Sequence, residues 1–188
     1  MTTRSTVARA LLACVGLCVA LAQAQTEAQT PNQGPSPQPD PAPGELCRAP
    51  EYRQLDYSIG RFRVVAETGE RAGELRVEPI LAGCVLRGHW RGAIAGRGEA
   101  TTWYDRHSGQ WHRVFVNDDG QSLRLSGRVE GTKLVLTGRN AFFDGRIGLH
   151  RMTWQPQPDG SIRQHWALSM DEGRSWETLL ASRAIPEP

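Results

Sequence analysis

Thr101–Gly131 reads TTWYDRHSGQWHRVFVNDDGQSLRLSGRVEG, and this stretch decides the fold. Gly109, Gly120 and Gly131 recur at intervals of eleven, each beside polar turn residues (His107-Ser108, Asp118-Asp119 and Glu130). An interval of that length holds one strand of about seven or eight residues and one tight connection. Gln110–Asn117 and Ser122–Val129 are therefore expected to be strands, with Glu99–Arg106 before them and Lys133–Arg139 after.

The same rhythm continues outward in both directions. Upstream, Arg61–Glu67, Glu74–Leu81 and Cys84–Ala93 are separated by Thr68-Gly69-Glu70, Ala82-Gly83 and, before the next strand, Gly96-Arg97-Gly98. Downstream, a longer connection at Asn140–Arg146 leads to Ile147–Gln155, Ser161–Met170 and Ser175–Ala184, joined through Pro158-Asp159-Gly160 and Asp171-Glu172-Gly173. Cys47–Asp56 is expected to form a short helix or turn leading in, and no amphipathic helix longer than two turns is visible. Consecutive strands joined by tight turns pair antiparallel with their sequence neighbours. A flat sheet of about ten strands would leave two open edges, which closure removes. The expectation is an all-β, antiparallel up-and-down meander closed into a barrel over residues 47–185, with a two-sheet β-sandwich as the alternative. At that strand number the interior is wide enough for a small ligand.

The first 46 residues have a different character. Arg4 and Arg9 precede an apolar run, Ala10–Ala22, and Ala22-Gln23-Ala24 ends it with small residues, the pattern of a cleaved signal peptide over residues 1–24. Thirteen apolar residues are too few to span a bilayer. Leu11-Leu12-Ala13-Cys14 has the outline of a lipobox, but it follows Arg9 with almost no apolar region before the cysteine. Residues 25–46 hold six of the twelve prolines among Gln, Ser and Gly, and such a composition is expected to remain a disordered linker. The chain is thus expected to be exported, periplasmic or secreted, with no membrane span after cleavage.

Export bears on charge and on cysteine. The chain has 22 Lys+Arg and 20 Asp+Glu, and Arg4 and Arg9 leave with the leader, so the mature protein is balanced. Nothing in that balance points to nucleic acid. Cys14 and Cys18 also leave, and Cys47 with Cys84 then suggests one disulfide in an oxidising compartment. It would close a loop of about 38 residues and stabilise by roughly 3–4 kcal/mol; two unpaired buried cysteines are the alternative.

Alternation indicates what lines the interior. One face of Gln110–Asn117 carries Trp111, Arg113, Phe115 and Asn117; one face of Ser161–Met170 carries Ile162, Gln164, Trp166, Leu168 and Met170. In Ile147–Gln155, Met152 and Trp154 oppose Leu149 and Arg151; in Glu99–Arg106, Trp103 shares a face with Thr101 and Asp105. Faces that mix aromatics with Arg and Gln are wetter than an ordinary core, as a cavity for a partly polar ligand would be.

Several runs also resemble an uncharacterised family of exported bacterial proteins. They are Trp103-Tyr104-Asp105, Gly109-Gln110-Trp111 and Val114-Phe115-Val116-Asn117, the loose opening match Tyr57–Phe62, and Gly83-Cys84-Val85-Leu86. The ending Arg151-x-Thr153-Trp154-x-Pro156 through Gln164-x-Trp166 to Ser169-x-Asp171-x-Gly173-x-Ser175-Trp176 fits as well, so the likeness covers about residues 50–183. Phe62 and Phe115 stand where that family usually has Trp, an aromatic exchange that leaves the fold expectation intact. The resemblance implies a lipocalin-like (calycin-type) barrel and carries no activity or catalytic residues with it.

No catalytic constellation is legible. There is no G-x-S-x-G elbow, and Asp105, Asp118 and Asp119 sit at turns where Asp caps its own backbone. His89, His107, His112, His150 and His165 lack metal-ligand spacing, so no metal or other cofactor is expected. The expected function is binding of a small amphipathic or acidic ligand in the barrel cavity by Trp103, Trp111, Arg113, Arg151, Gln164 and Trp166. Arg113 and Arg151 would meet a carboxylate or phosphate. A cell-envelope interaction module with a filled core is the alternative, and an enzyme the third reading.

Overall fold

The computed structural model describes residue 42 and residues 44–94, 96–142 and 144–188; the signal-peptide reading and nearly all of the linker reading lie outside them. Ten strands form one closed antiparallel barrel in which each strand pairs with the next and the last with the first. They are β1 (Gly60–Ala66), β2 (Arg71–Ile80), β3 (Val85–Gly92), β4 (Arg97–Asp105), β5 (Gln110–Asn117), β6 (Ser122–Glu130), β7 (Lys133–Ala141), β8 (Ile147–Pro156), β9 (Ile162–Ser169) and β10 (Glu177–Glu187). Closure runs through Phe62↔Pro186 and Val64↔Ala184, which leaves no free edge and excludes the sandwich. The three meander glycines all have positive φ (62° at Gly109, 78° at Gly120, 63° at Gly131), a conformation that only glycine adopts without strain, so the eleven-residue rhythm is turn chemistry.

One end of the barrel is closed. The segment before β1 folds into α1 (Pro50–Arg53) between two 3-10 turns, Leu46–Arg48 and Asp56–Ser58, and Leu55 is fully buried beneath it. Two clasps hold this plug to the 3-10 turn Leu81–Gly83 between β2 and β3. The first is the Cys47–Cys84 disulfide. In the second, Arg53 Nη2 donates to the carbonyls of Cys47 (3.1 Å) and Gly83 (2.7 Å). Replacing both cysteines by serine is expected to lower stability to urea by about 3 kcal/mol through loss of loop closure. A loss below about 1 kcal/mol, within the range of ordinary hydrogen bonds, would mean that the Arg53 clasp suffices.

The opposite end stays open, and its rim is built locally. Asp171 accepts from the Ser175 hydroxyl (2.7 Å), the Ser175 amide (2.8 Å) and the Ser169 hydroxyl (2.7 Å), and Trp176 Nε1 donates to the Gly173 carbonyl. The Ser175 hydroxyl, then the Ser175 amide and Ser169, hold the Asp171 carboxyl down to about 2. This turn takes Ser175 and Trp176 out of the strand expected there, and β10 begins at Glu177. Elsewhere on the rim, β6 and β7 part company. Their ladder stops at Ser126↔Thr137, and beyond it the Asn140 amide bonds the Arg124 N–H (2.7 Å) and carbonyl (3.2 Å) in place of a backbone partner.

Candidate functional site

Strand parity sorts the barrel's side chains. On β5 the inward set is Trp111, Arg113, Phe115 and Asn117, as expected from alternation; on β9 it is Ile162, Gln164, Trp166 and Leu168. Toward the closed end the interior is dry and filled by Phe62, Val77, Leu86, Leu134, Leu136 and Ile162. Toward the open end lies a cavity of about 270 Å³, walled by Trp90, Phe115, Met152, Trp154 and Trp166, with Arg113 and Gln164 among its lining. Small residues make room for those walls: a Cβ at Gly98 would overlap the Phe115 ring, and one at Gly73 would meet the Trp90 indole.

Arg113 is the unusual group. It is 8 % exposed, and Nη1 donates to Thr102 Oγ1 at 2.9 Å. The guanidinium lies 4.7 Å over the Trp154 ring. Its Nε–H has no hydrogen-bond partner, and no carboxylate pairs with it among the described residues. Burial pulls its pKa down to about 10, which still leaves it a cation at neutral pH. Nearby, Gln164 Oε1 accepts from the Ser182 hydroxyl at 3.3 Å, and no bond from the Gln164 NH2 is present among the described residues. The cavity therefore offers one buried, uncompensated cation and one free amide donor among flat apolar walls.

Four of the six expected ligand residues face inward, and two do not. Thr102 and Tyr104 point in, so Trp103 points out, where it stacks on His112 (5.3 Å between centroids). His150 and Met152 point in, so Arg151 points out, 4.0 Å over the Trp176 ring, where it braces the Asp171 turn. Trp111 faces inward but at the closed end: it is 2 % exposed and its Nε1 donates to Gln54 Oε1 of the plug at 2.9 Å. Arg113, Gln164 and Trp166 line the cavity together. Met170, expected inside, is an exposed rim residue. Alternation sets Trp154 with Met152 on one face of its strand, and only the register of β2–β3 and β7–β8–β9 brings it and Trp90 inward to one cavity.

The histidines do not converge. His89, His112 and His165 lie on the outer surface, His150 lies inside, and no cluster of three metal-ligating side chains occurs among the described residues. An outer concavity of about 880 Å³ passes over His89, where several of the charges pair with one another. His89 bonds Glu78 (3.1 Å) and Glu99 (2.8 Å), and Arg76 bonds Glu78 (2.7 Å).

His89 and His150 titrate in opposite senses. The bonds to Glu78, then Glu99, raise His89 above 6.5, while burial lowers His150 below it. Stability from His89 is complete below 6.5 and is lost as pH rises through its raised value. Stability from the neutral His150 is complete above 6.5 and is lost as pH falls from there toward its lowered value. Urea midpoints between about pH 5 and 8 should thus lose part of their alkaline decline in His89→Gln and part of their acid decline in His150→Phe. Unchanged profiles would show that neither ring contributes.

No protein-family model matches this chain, and no curated protein is similar to it. The site has to be interpreted from its own chemistry.

Proposed function

We propose that this barrel binds a small amphipathic acid, with its anionic head on Arg113 and its apolar body among Trp90, Phe115, Trp154 and Trp166. The observation that carries the reading is the buried Arg113 guanidinium with no acid opposite it. A buried unpaired cation costs several kcal/mol, and a bound anion would remove most of that cost. Aromatic walls with a few polar groups are the usual make-up of such cavities. The size suits a compact ligand, since 270 Å³ equals the liquid volume of about nine waters. The disulfide and the leader-like residues 1–24 support an exported location, periplasmic or secreted, and the resemblance over residues 50–183 belongs to the same reading.

The test is titration of tryptophan fluorescence with 4-phenylbutyrate and with its neutral counterpart 4-phenyl-1-butanol. The acid is expected to bind about 100-fold more tightly, the scale of one desolvated charge pair. Equal affinities would remove Arg113 from the reading, and no binding of either probe would end it.

A further inference from the structure

A second lobe opens beside the first. It measures about 140 Å³, lies behind the parting of β6 and β7, and shares Phe115, Asn117, Leu123 and Trp166 with the main cavity. His150 is its buried polar residue, 5 % exposed. Trp166 Nε1 lies 3.0 Å from His150 Nδ1. An indole N–H only donates, so Nδ1 must be the bare acceptor nitrogen, and the neutral ring then carries its proton on Nε2. The tautomer is thereby fixed by one bond from the neighbouring strand.

That leaves Nε2–H as a donor with no protein acceptor among the described residues. Two of the lobe's four other polar side chains are already engaged, and the Gln121 amide and the Ser122 hydroxyl line it as well. Asn140 is bonded to the β6 backbone, and Asn117 Oδ1 accepts from the Gln121 N–H at 2.9 Å. No charged side chain lines the lobe. A neutral N–H donor without a neighbouring cation selects a neutral acceptor: a carbonyl, ether or hydroxyl oxygen. An anion would find no countercharge here, whereas Arg113 supplies one in the main cavity.

We infer that His150 is a second anchor, and that the ligand is a carboxylic acid bearing a neutral hydrogen-bond acceptor on the part of its body remote from the carboxylate. The inference rests on the acid-binding reading above. The Phe142 and Trp166 rings each lie 5.7 Å from the imidazole, and the Trp166 bond to Nδ1 sets the direction of Nε2–H before the ligand arrives. The lobe is small, equal to the liquid volume of about five waters, which fits a short terminal group rather than a second ring system.

The experiment compares 4-phenylbutyrate with 4-(4-acetylphenyl)butyrate on the full chain. The acetyl acid is expected to bind about 10-fold more tightly to the wild type, and His150→Phe to abolish that preference while leaving 4-phenylbutyrate unchanged. Nitrogen-15 spectra of the wild-type imidazole give a readout that needs no variant: the Nε2–H resonance should move with the acetyl acid and stay in place with the plain acid. Equal affinities of the two acids, a preference that survives in His150→Phe, or an Nε2 resonance indifferent to the acetyl group would each overturn the His150 assignment and leave the Arg113 reading standing. If neither acid binds the wild type, the acid-binding reading fails and this inference falls with it.

Discussion

Replacing Arg113 by methionine is expected to weaken 4-phenylbutyrate binding by about 100-fold and, at the same time, to make the protein more stable by about 1–3 kcal/mol. The two effects have one cause. Arg113 is buried with an open Nε–H and no carboxylate partner, and burial pulls its pKa down to about 10. A drop of that size corresponds to a desolvation cost of about 3 kcal/mol. Methionine fills a similar volume without charge and keeps a soft contact with the Trp154 ring. Part of the gain is offset because Thr102 Oγ1 loses the donor it accepts from at 2.9 Å. Urea unfolding and the fluorescence titration, run on the same preparation, separate the effects. A variant that loses stability and keeps its affinity would make Arg113 a structural residue, held by Thr102 and Trp154 for the sake of the fold.

Trp111→Ala is expected to behave in the opposite way, with a stability loss of about 3–5 kcal/mol. Trp111 is almost wholly buried, meets the Tyr104 ring at 5.7 Å and donates to Gln54 Oε1 across the junction between plug and barrel. Truncation leaves a cavity at the closed end and strands the Gln54 carbonyl oxygen. Trp111→Phe keeps most of the ring and removes only the donor, so its loss should be about 1–2 kcal/mol. In that milder variant the affinity for 4-phenylbutyrate should stay within about twofold of the wild type, since only interactions that touch the ligand change it appreciably. A large loss of affinity with stability intact would return Trp111 to the binding site.

Arg113 and Trp111 lie two positions apart on one strand face, yet one belongs to the cavity and the other to the plug. Alternation alone assigns both inward and cannot say at which depth the barrel is filled. That depth depends on Leu55, Gln54 and the disulfide-clasped segment folding over one end, which is a contact across 57 positions for Trp111 and Gln54. The misassigned residues have a related origin. Parity sets Trp103 against Tyr104 and Arg151 against Met152, but does not by itself say which side of β4 or β8 faces in; the neighbouring strands decide. His150 shares its face with Met152 and Trp154, opposite Arg151, and the neighbouring strands turn that face inward. Its significance was no more legible, because the Trp166 bond that fixes its tautomer requires the β8–β9 register.

By itself, the sequence determined about ten strands and their antiparallel order, while the choice of a closed barrel over a sandwich waited for the β1–β10 pairing. These follow from short-range physics: glycines at turns needing positive φ, period-two alternation, and short connections that admit only neighbour pairing. It also brought Cys47 and Cys84 forward as a pair. Only the tertiary structure decided which end is plugged, which aromatics wall the cavity, and that Arg113 has no acid opposite it. Those properties are set by side chains from distant strands meeting at one depth, and by which polar groups burial leaves unanswered; neither quantity is local to any stretch of the chain.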